Sequence, residues 1–483
     1  MYAFVLKEKL LEGIKLEEIN TKLEEFNKYI VNRKVAIIGI GVSNIPLLEY
    51  FNKKGAKVTV FDRRNIDNID KDIIDTISNY CMGMSFGADY LSKLHGFDII
   101  FRSPSCRPDT KEIVEEVNRG AILTSEIEML MQTCPGTIIG ITGSDGKTTT
   151  TSLIYEIVKQ KGYNCYLGGN IGIPLFTKVE EMKKDDIVVL ELSSFQLMDM
   201  EISPHISIIT NITPNHLDIH KSYEEYIDSK KNIFKYQNKD GILILNYDND
   251  ITREFEKEAN GKVIFFSSKT KLENGIIYDD EKIKSCENGI RRHILNTKNM
   301  YIKGIHNFEN ICASIAATAP FVDIDTQNKT ITEFKGVHHR LEFVRDIHGV
   351  KWYNDSASSS PTRAIAGINA FSEELILITG GYDKNLDYTP MAKPIVDKVK
   401  TLLLIGQTSE KIYNAVKEEM QNQNKVVEIY KCDSLEECIE TANELASPEE
   451  VVLFSPGSAS FDMFKNAYQR GDIFKELVNK VEE

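Results

Sequence analysis

The chain has 483 residues, of which 42% are hydrophobic and 27% are charged, a composition typical of a folded globular protein and not of a disordered or fibrous one. It contains no apolar run long enough to span a membrane and no signal-peptide pattern at its start, and its net charge of −14 argues against a nucleic-acid coat protein. Its eight cysteines include no C-x-x-C pair, which indicates neither a zinc site nor a disulfide framework, and we expect reduced thiols in a cytoplasmic enzyme.

Strands that alternate with helices are predicted in the first part of the chain. Residues 4–30 have the apolar spacing of an amphipathic helix or helix pair. One helix, Asn44–Lys54, and three buried-type strands are predicted next, the strands being Lys34–Gly41, Lys57–Asp62 and Phe97–Phe101. This alternation predicts a parallel, doubly wound sheet, with ligands beyond the carboxyl ends of its strands. Gly41, Asp62 and Ser103 fall at those ends.

The turn after the first strand resembles part of a dinucleotide-binding fingerprint. Its sequence is Gly39-Ile-Gly41-Val-Ser-Asn44, in which Asn44 stands where the last glycine is expected. Asp62 follows about 20 residues later, a position that suits a ribose contact. The pattern is weak evidence for NAD and better evidence for a nucleotide or diphosphate at a helix N-terminus.

A phosphate loop is the most informative feature of the sequence. The apolar run Thr137–Ile141 leads into Thr142-Gly-Ser-Asp-Gly-Lys-Thr-Thr149 and then into a helical pattern. A glycine-rich turn between strand and helix directs backbone N–H groups at phosphate, Lys147 can reach the outer phosphates, and Thr148 can ligate Mg²⁺. The loop is shorter than G-x-x-x-x-G-K-[ST], because Ile141 occupies the position of the first glycine. The alternative interpretation is a flexible glycine turn with a solvated lysine.

Two residues that follow the next strands are candidate magnesium ligands. Glu191 ends the apolar strand Asp186–Glu191, where a carboxylate can hold Mg²⁺ directly or through water. The alternative is a carboxylate that caps the next turn. His216 follows the strand His205–Asn211. Histidine is an unusual Mg²⁺ ligand, and the residues alone leave a surface or structural histidine as the alternative.

Lys230 lies on the apolar face of a predicted helix. Six residues form that face at helical spacing: Tyr223, Tyr226, Ile227, Lys230, Ile233 and Phe234. A desolvated lysine has a lowered pKa. A neutral amine can react with CO₂ to form a carbamate, which offers carboxylate-like ligand atoms. The alternative is a lysine whose amine snorkels to the surface.

Polar residues in two later segments are candidate nucleotide contacts. Asn307 and Asn310 lie at the start of a predicted helix that continues through Thr318, where they can either read a base or cap the helix. Arg340 precedes an apolar run, and its guanidinium can either reach a phosphate or form a surface ion pair.

Three α/β units in series are predicted, with boundaries near residues 127 and 337. Strands alternate with helices again after residue 337, at Lys351–Asp355, Leu375–Gly381, Thr401–Gly406 and Val451–Gly457. We therefore expect domains at residues 1–126, 127–336 and 337–483, with binding sites in the clefts between them.

Six segments stand in a characteristic order and spacing: Gly143-Ser-Asp-Gly-Lys-Thr-Thr, Glu191-Leu-Ser-Ser-Phe-Gln-Leu, Asn211-Ile-Thr-Pro-Asn-His-Leu-Asp, Ser229-Lys-Lys-Asn-Ile-Phe, Gly304-Ile-His-Asn-Phe-Glu-Asn310 and His339-Arg-Leu-Glu. Together they resemble the Mur ligase family, the ATP-dependent amide-bond ligases of peptidoglycan precursor synthesis. The resemblance covers nearly the whole chain from residue 33. Within the family, Leu190–Leu197 and Ser455–Phe464 resemble the members that add D-glutamate, and an Asp-Asn-Pro-Arg segment, usual in the diaminopimelate-adding members, is absent.

The resemblance implies a fold and a reaction. The fold would be α/β with three domains: Rossmann-like, central P-loop ATPase-type with a parallel sheet, and Rossmann-like again. The reaction would join D-glutamate to UDP-N-acetylmuramoyl-L-alanine through an acyl-phosphate, with ATP, two Mg²⁺ ions and a carbamylated Lys230. The protein would be a cytoplasmic monomer with small-molecule substrates, no nucleic acid and no membrane insertion, and it would serve cell wall biogenesis, cell shape and cell division.

The resemblance also assigns residues to roles. The catalytic residues would be Lys147, Lys230, His216 and Glu191. The metal ligands would be Thr148, Glu191, His216 and Lys230. ATP would contact Gly143, Ser144, Asp145, Gly146, Lys147, Thr148, Thr149, Asn307, Asn310, Arg340 and Asp355. The UDP substrate would contact Gly41, Ser43, Asp62, Arg63, Ser103, Asn170 and Ser193. D-Glutamate would contact Lys384, Ser460 and Ser359.

The sequence departs from the family pattern at two positions. Ala357 stands where the family often has a lysine after Asp355-Ser356, which removes a cation that would face the acceptor site. Ala467 stands where an aromatic residue is usual near the D-glutamate site. Contacts to the amino acid are therefore expected to differ from those of the family.

Three other functions compete with this interpretation. A ligase of the same fold, such as the folylpolyglutamate type, also joins glutamate but usually lacks a UDP-binding domain like residues 33–126. A nicotinamide-dependent dehydrogenase would use Gly39–Asn44 and would leave the phosphate loop and Lys230 unexplained. A non-catalytic nucleotide switch would bind ATP without forming an amide.

Overall fold

The structure is a computed structural model that describes residues 19–214, 219–298 and 300–482. The chain divides into two compact units, Met1–Asn296 with Glu309–Thr330 and Thr297–Phe308 with Ile331–Glu483. Strands and helices alternate through both units, which confirms the predicted α/β class. Within the described ranges, every helix is too short or too polar to cross a membrane.

The first unit opens with a five-stranded parallel sheet in the order β3-β2-β1-β4-β5. Its strands are β1 (Lys34–Ile38), β2 (Lys57–Asp62), β3 (Gly83–Phe86), β4 (Ile99–Arg102) and β5 (Ile122–Thr124). Its helices are α1 (Ile19–Ile30), α2 (Ile45–Lys53), α3 (Lys71–Tyr80) and α4 (Lys111–Asn118), with 3₁₀ turns at Ile66–Asn68 and Tyr90–Lys93. The strand order reverses between β1 and β4, and ligands bind beyond the carboxyl ends at such a reversal.

A nine-stranded sheet follows in the same unit, in the order β14-β13-β12-β11-β10-β9-β6-β8-β7. Its central strands are β6 (Thr137–Thr142), β7 (Cys165–Gly169), β8 (Ile187–Glu191), β9 (Ile206–Ile209) and β10 (Ile242–Asn246). Its outer strands are β11 (Lys262–Ser267), β12 (Gly275–Asp279), β13 (Lys282–Glu287) and β14 (Ile290–Asn296). Strand β13 pairs antiparallel with both β12 and β14, so that these strands extend the sheet at one edge.

Helices around the nine-stranded sheet bury an apolar face against it. They are α5 (Glu126–Thr133), α6 (Lys147–Gln160), α7 (Ser194–Leu197), α8 (Tyr223–Lys235) and α9 (Asp250–Glu254), with 3₁₀ turns at Phe176–Glu181 and Phe255–Glu258. Helix α8 begins where Ser222 Oγ accepts a hydrogen bond from the Glu225 N–H at 3.1 Å, an N-cap that fixes its first turn. This start sets which face of α8 is buried.

The second unit contains a six-stranded sheet in the order β15-β16-β20-β17-β18-β19, parallel except for β15. Its strands are β15 (Glu342–Ile347), β16 (Val350–Asn354), β17 (Leu375–Gly380), β18 (Val399–Ile405), β19 (Glu428–Cys432) and β20 (Val451–Phe454). Its helices are α12 (Pro361–Asn369), α13 (Thr389–Lys398), α14 (Ser409–Gln423), α15 (Leu435–Leu445) and α16 (Ala467–Lys480). Two further helices, α10 (Ile305–Thr318) and α11 (Ile324–Glu333), include residues of both units.

Candidate active site

The phosphate loop connects β6 to α6 through two glycines that a side chain cannot replace. Gly143 (φ +150°) and Gly146 (φ +80°) have backbone conformations that L residues rarely adopt. A Cβ at Gly143 would overlap Thr210 Oγ1, and one at Gly146 would overlap Asn310 Oδ1. The loop therefore closes tightly on its supports and leaves the first N–H groups of α6 without intrahelical acceptors, as phosphate binding requires.

Polar side chains from neighbouring segments hold this loop from behind. Ser144 Oγ lies 2.8 Å from the Tyr226 hydroxyl and donates to the Thr213 carbonyl at 2.9 Å. The Asp145 N–H donates to Asn211 Oδ1 at 3.0 Å. Asn310, predicted as a nucleotide contact, accepts from Thr150 Oγ1 at 3.3 Å and thus lies against the start of α6. Thr210, Asn211 and Tyr226 are supporting residues that sequence reasoning missed, because only the sheet order brings them to the loop.

Lys147 is the first residue of α6, and its side chain bends back over the loop. Its Nζ donates to the carbonyl oxygens of Gly143 at 2.8 Å and Ser144 at 3.0 Å. The amine thus lies at the mouth of the loop, where it can turn to the outer phosphates of a bound nucleotide. Thr148, the next residue, is half-buried, and Thr149 is buried.

Lys230 is buried beneath the phosphate loop. Its side chain is 2% exposed, and its Nζ donates to Gly143 O at 2.9 Å and Thr142 Oγ1 at 3.2 Å. Burial, reinforced by the charge of Lys147, holds the pKa of Lys230 well below its ordinary value, although the Glu191 and Asp145 carboxylates oppose the shift. The prediction that helical spacing buries this lysine is confirmed, and the surface-snorkelling alternative is wrong.

Glu191 is a buried carboxylate that ends β8 beside β6. Its Oε1 accepts from Asn170 Nδ2 at 2.8 Å. Its Oε2 is buried and has no hydrogen-bond partner among the described residues. A buried carboxylate oxygen without a donor is costly, and a cation would satisfy it. The donor set therefore suits a hard divalent ion. His216, the other predicted ligand, lies outside the described residues.

The turn after β1 is closed by side chains rather than by a third glycine. Asn44 is buried, and its amide donates to Gly39 O at 2.9 Å and Ile38 O at 3.3 Å. Gly39 (φ +83°) packs against Ser103, which follows β4. Gly41 and Ser43 lie at the open edge of the turn, where no atom would contact a Cβ at Gly41. This edge is the strand-order reversal, where a ligand is expected.

The carboxylate of Asp62 accepts hydrogen bonds from other residues of the protein. Its Oδ2 accepts from the Ile40 N–H at 2.8 Å, and Arg64 contacts it through Nε at 2.9 Å. Burial raises the pKa of Asp62, but the Arg64 side chain and the Ile40 and Arg64 N–H groups outweigh it and leave the pKa below its ordinary value. Arg64 is a residue that sequence reasoning missed, whereas the predicted contact Arg63 is exposed.

Buried Arg102 connects the end of β4 with the segment around α7. Its guanidinium pairs with Asp199 and donates to Phe195 O at 3.1 Å and Cys106 O at 2.7 Å. Ser193, a predicted substrate contact, is the N-cap of α7, where its Oγ and the Gln196 amide form a reciprocal capping box. Ser103 and Ser193 therefore lie on segments that one arginine joins.

In the second unit, the turn after β16 holds a buried carboxylate. Asp355 is 2% exposed and accepts from Ser358 Oγ at 2.5 Å and Ser455 Oγ at 2.7 Å. Burial raises the pKa of Asp355 to about 6, against the hydroxyl bonds and the charge of Arg340. Arg340 is half-buried, and Asn307, from the start of α10, is buried and donates to Lys303 O at 2.7 Å.

The predicted amino-acid contacts lie at the same ends of the strands of this sheet. Lys384 follows β17 and is exposed, with its Nζ 5.5 Å from the ring centroid of Phe461. Ser460 follows β20 and is buried, while Ser359, which follows the Asp355 turn, is half-buried.

A histidine pair next to Arg340 is already occupied by a protein cation. His338, His339 and Glu342 offer ligand atoms within 4.8 Å of one another. Lys475 Nζ lies 3.0 Å from His338 Nε2 and 3.3 Å from Glu342 Oε1. Lys475 therefore already contacts two of the three candidate ligand residues.

Three parts of the chain match known domain families. Residues 33–125 match the "Mur ligase MurD-like, N-terminal domain", residues 141–318 the "Mur ligase middle domain", and residues 339–457 the "Mur ligase, glutamate ligase domain". The chain belongs to the Mur ligase family.

Relatives of this Mur ligase are similar over nearly its whole length. The UDP-N-acetylmuramoylalanine--D-glutamate ligase of Acetivibrio thermocellus is 49% identical over 466 residues, which are 96% of this chain and 100% of that protein. Proteins of the same name from Ruminiclostridium cellulolyticum and Clostridium botulinum (strain Langeland) are 45% and 44% identical, with the same shares covered.

Solved structures share the fold of this Mur ligase. The UDP-N-acetylmuramate-alanine ligase MurC of Thermotoga maritima has a TM-score of 0.57 at 18% identity, covering 93% of this chain and 100% of that one. The MurF ligase of Thermotoga maritima in complex with ADP has a TM-score of 0.53 at 17% identity, covering 94% of this chain and 97% of that one.

Proposed function

We propose that this Mur ligase joins D-glutamate to UDP-N-acetylmuramoyl-L-alanine at the expense of ATP, in peptidoglycan precursor synthesis. The observation that carries the proposal is full-length similarity, at 49% identity, to a protein named for that reaction. The site supports the same chemistry, because a phosphate loop, a buried lysine and a buried carboxylate meet at the ends of β6 and β8. One oxygen of that carboxylate has no hydrogen-bond partner in the part of the chain that the structure describes. ATP supplies the phosphoryl group.

We assign the ATP phosphates to the loop Gly143–Thr149. Its N–H groups at the start of α6 would hold the phosphates. Lys147 would exchange its contacts with the Gly143 and Ser144 carbonyls for contacts with the outer phosphates. Asn310 supports the loop from the side of the helix. We also assign Asn307, Arg340 and Asp355 as contacts of the bound nucleotide, as the resemblance implies.

We assign two Mg²⁺ ions to four ligand residues. Thr148 and Glu191 would hold one ion, and His216 and a carbamylated Lys230 the other. When bound, the ions would neutralise charge on the transferring phosphoryl group. The lowered pKa of Lys230 supports the carbamate, because the neutral amine can bond to the carbon of CO₂ and release a proton.

The proposed reaction has two steps. A carboxylate oxygen of UDP-N-acetylmuramoyl-L-alanine attacks the γ-phosphorus of ATP, and the bond to the ADP oxygen breaks. The amine of D-glutamate then attacks the acyl carbon, phosphate leaves, and a proton passes to solvent. Lys147 and the loop N–H groups face the charge that develops in the first step. Exclusion of water protects the acyl-phosphate from hydrolysis.

Two further groups of residues would hold the other substrates. The UDP-muramoyl substrate would lie at the strand-order reversal of the first sheet, on Gly41, Ser43, Asp62, Arg63, Ser103, Asn170 and Ser193. Asp62 would act there through the turn that it holds. D-Glutamate would lie on Lys384, Ser460 and Ser359, with the Lys384 ammonium paired to a carboxylate.

We propose domains at residues 1–126, 127–336 and 337–483, one for each of the UDP substrate, ATP and the amino acid. We further propose that the protein works in the cytoplasm as a monomer, without nucleic acid or membrane insertion, and that its product serves the cell wall during growth, shape maintenance and division.

Substrate-dependent phosphate release tests the function. Purified protein with ATP, Mg²⁺ and UDP-N-acetylmuramoyl-L-alanine should release phosphate and form one amide per ADP with D-glutamate, and far less with L-glutamate. Chelation of Mg²⁺ should stop the reaction. Turnover with a folate acceptor and L-glutamate would instead identify a folylpolyglutamate-type ligase, and ADP formation without amide would identify a nucleotide switch.

A further inference from the structure

Arg470 is a buried arginine of α16 that is absent from the sequence-based candidates. It is 2% exposed. Its Nε donates to Ser356 Oγ at 3.0 Å, and one terminal nitrogen donates to Ser356 O at 2.8 Å. Ser356 Oγ in turn donates to Ala467 O at 2.8 Å. Arg470 thus holds the residue that directly follows Asp355.

The other terminal nitrogen of Arg470 reaches a second loop. It donates to Ser458 O at 3.1 Å and to Ala459 O at 3.0 Å, directly before Ser460. Ala459 O also accepts from the Tyr382 N–H at 2.9 Å, two residues before Lys384. One guanidinium therefore binds the Asp355 turn and the loop of the proposed D-glutamate site.

This arrangement depends on the shape of the guanidinium group. Its N–H donors are fixed in a planar fork, whereas a lysine ammonium is a compact charge that cannot reach both loops in the same way. Burial lowers the pKa of Arg470 to about 10, while the carboxylates of Asp462 and Asp355 oppose that shift, so the group stays protonated near neutral pH. Burying a charge costs free energy unless it is well bonded, and here backbone carbonyls and one hydroxyl supply the bonds.

We propose that Arg470 is a positioning residue, which keeps the Asp355–Ser356 turn of the nucleotide side and the Ser458–Ser460 loop of the D-glutamate side at a fixed spacing. The proposal rests on the function proposed above. It also gives the C-terminal domain a buried cation behind the turn in which Ala357 replaces the usual lysine. The role is indirect, since the buried guanidinium of Arg470 bonds to the protein at Ser356, Ser458 and Ala459.

Kinetics of R470K test this role. We expect a folded variant whose kcat/KM for D-glutamate falls roughly 10–100-fold, as displacement of reacting groups by about 1 Å can produce. The KM for UDP-N-acetylmuramoyl-L-alanine should change less than the KM for D-glutamate. R345K is the matched control, because Arg345, like Arg470, donates to two backbone carbonyls in the same unit. Its acceptors are Asn479 O in α16, at 3.2 Å, and Val481 O just after α16, at 3.0 Å. Unchanged D-glutamate kinetics in R470K would overturn the proposal.

A second measurement does not depend on activity. Amide hydrogen exchange of R470K should rise in both the 355–358 and the 457–460 segments, and R345K should leave both unchanged. In R470A, low concentrations of methylguanidinium should restore part of the protection and of the D-glutamate turnover. If exchange rises in neither segment, Arg470 does not position them. If wild-type protein shows no D-glutamate turnover, the proposed function fails, and exchange still decides the role of Arg470.

Discussion

At the scale of single residues, the site is governed by charges placed where water cannot reach them. Lys230 lies under the phosphate loop with a lowered pKa, and Glu191 keeps one oxygen without a donor among the described residues. Burial disfavours the charged form of the lysine and disfavours a carboxylate oxygen that lacks a hydrogen bond, so that a bound partner would stabilise each group. Ionisable groups whose pKa is shifted in this way, such as Lys230, cluster at functional sites.

Replacement of Lys230 tests its role. K230A should lower turnover by at least about a thousandfold if the modified amine organises phosphoryl transfer, and short-chain carboxylates should restore part of it by supplying the missing oxygen ligands. K231A is the matched control, because the neighbouring Lys231 pairs with Glu258 at 2.7 Å on the surface. ADP formation is the measurement. Equal activity of both variants would remove Lys230 from the mechanism.

Asp355 makes the stability of the protein depend on pH. Its pKa is about 6 in the folded protein and 3.8 ordinarily, so the folded state binds the proton more tightly. Stability should therefore fall as pH rises from about 4 to 6, by about 3 kcal/mol for this group. The free energy of unfolding of the wild type relative to D355N, from chemical denaturation, should show this fall. The wild type relative to D387N should show no such fall, since the pKa of exposed Asp387 is lowered and D387N retains Asp355.

At the scale of elements, the phosphate loop joins a strand to a helix through a turn whose backbone conformation requires glycine. Gly146 has φ +80° and is the residue before α6, and it faces Asn310. The helix start proposed to bind phosphate and the Asn310 amide that supports it are therefore in direct contact. A change at this glycine alters both the loop and the helix N-terminus.

Substitutions of the two glycines that flank α6 separate the effect of backbone strain from that of the lost contact with Asn310. G146A should weaken ATP binding by about a hundredfold, since the new methyl displaces both the loop and Asn310. G162A, just after the same helix, has φ +100° and open space around it, so that it should lose stability through strain alone and keep ATP affinity. Nucleotide titration calorimetry measures the difference. Similar affinities in the two variants would contradict the importance of the Asn310 contact.

At the scale of the whole molecule, an ion pair between a buried arginine and a half-buried aspartate joins segments that lie far apart in sequence. Arg102, at the end of the first sheet, pairs with Asp199 after α7 and is 2% exposed. Removal of one partner from a buried pair leaves the other charge without compensation. The two sheets of the first unit are thus linked beside the proposed UDP-substrate site.

R102M should lower the free energy of unfolding by roughly 3–5 kcal/mol, because Asp199 loses its partner and the carbonyls of Ser103, Cys106 and Phe195 lose their donor. R253M is the control, since Arg253 pairs with exposed Asp250 at 2.6 Å and such surface pairs contribute about 0–1 kcal/mol. Urea denaturation measures both. A loss below 1 kcal/mol in R102M would show that the contact does not hold the segments together.

The amino-acid sequence by itself determined the local features of this protein. Alternating apolar runs and helical spacing predicted its α/β class, because strand and helix periods are properties of neighbouring residues. The glycines and lysine of the phosphate loop were visible for the same reason. Helical spacing also placed Lys230 on a buried face, and the family resemblance gave the reaction.

The tertiary structure alone decided which distant residues meet. Asn211 and Tyr226 reach the phosphate loop because β9 pairs with β6 and α8 packs nearby. Asp62 accepts a hydrogen bond from the Ile40 N–H, 22 positions away, and Arg470 joins two loops through contacts with residues up to 114 positions away. Such contacts follow from strand order and side-chain direction, which no local pattern encodes.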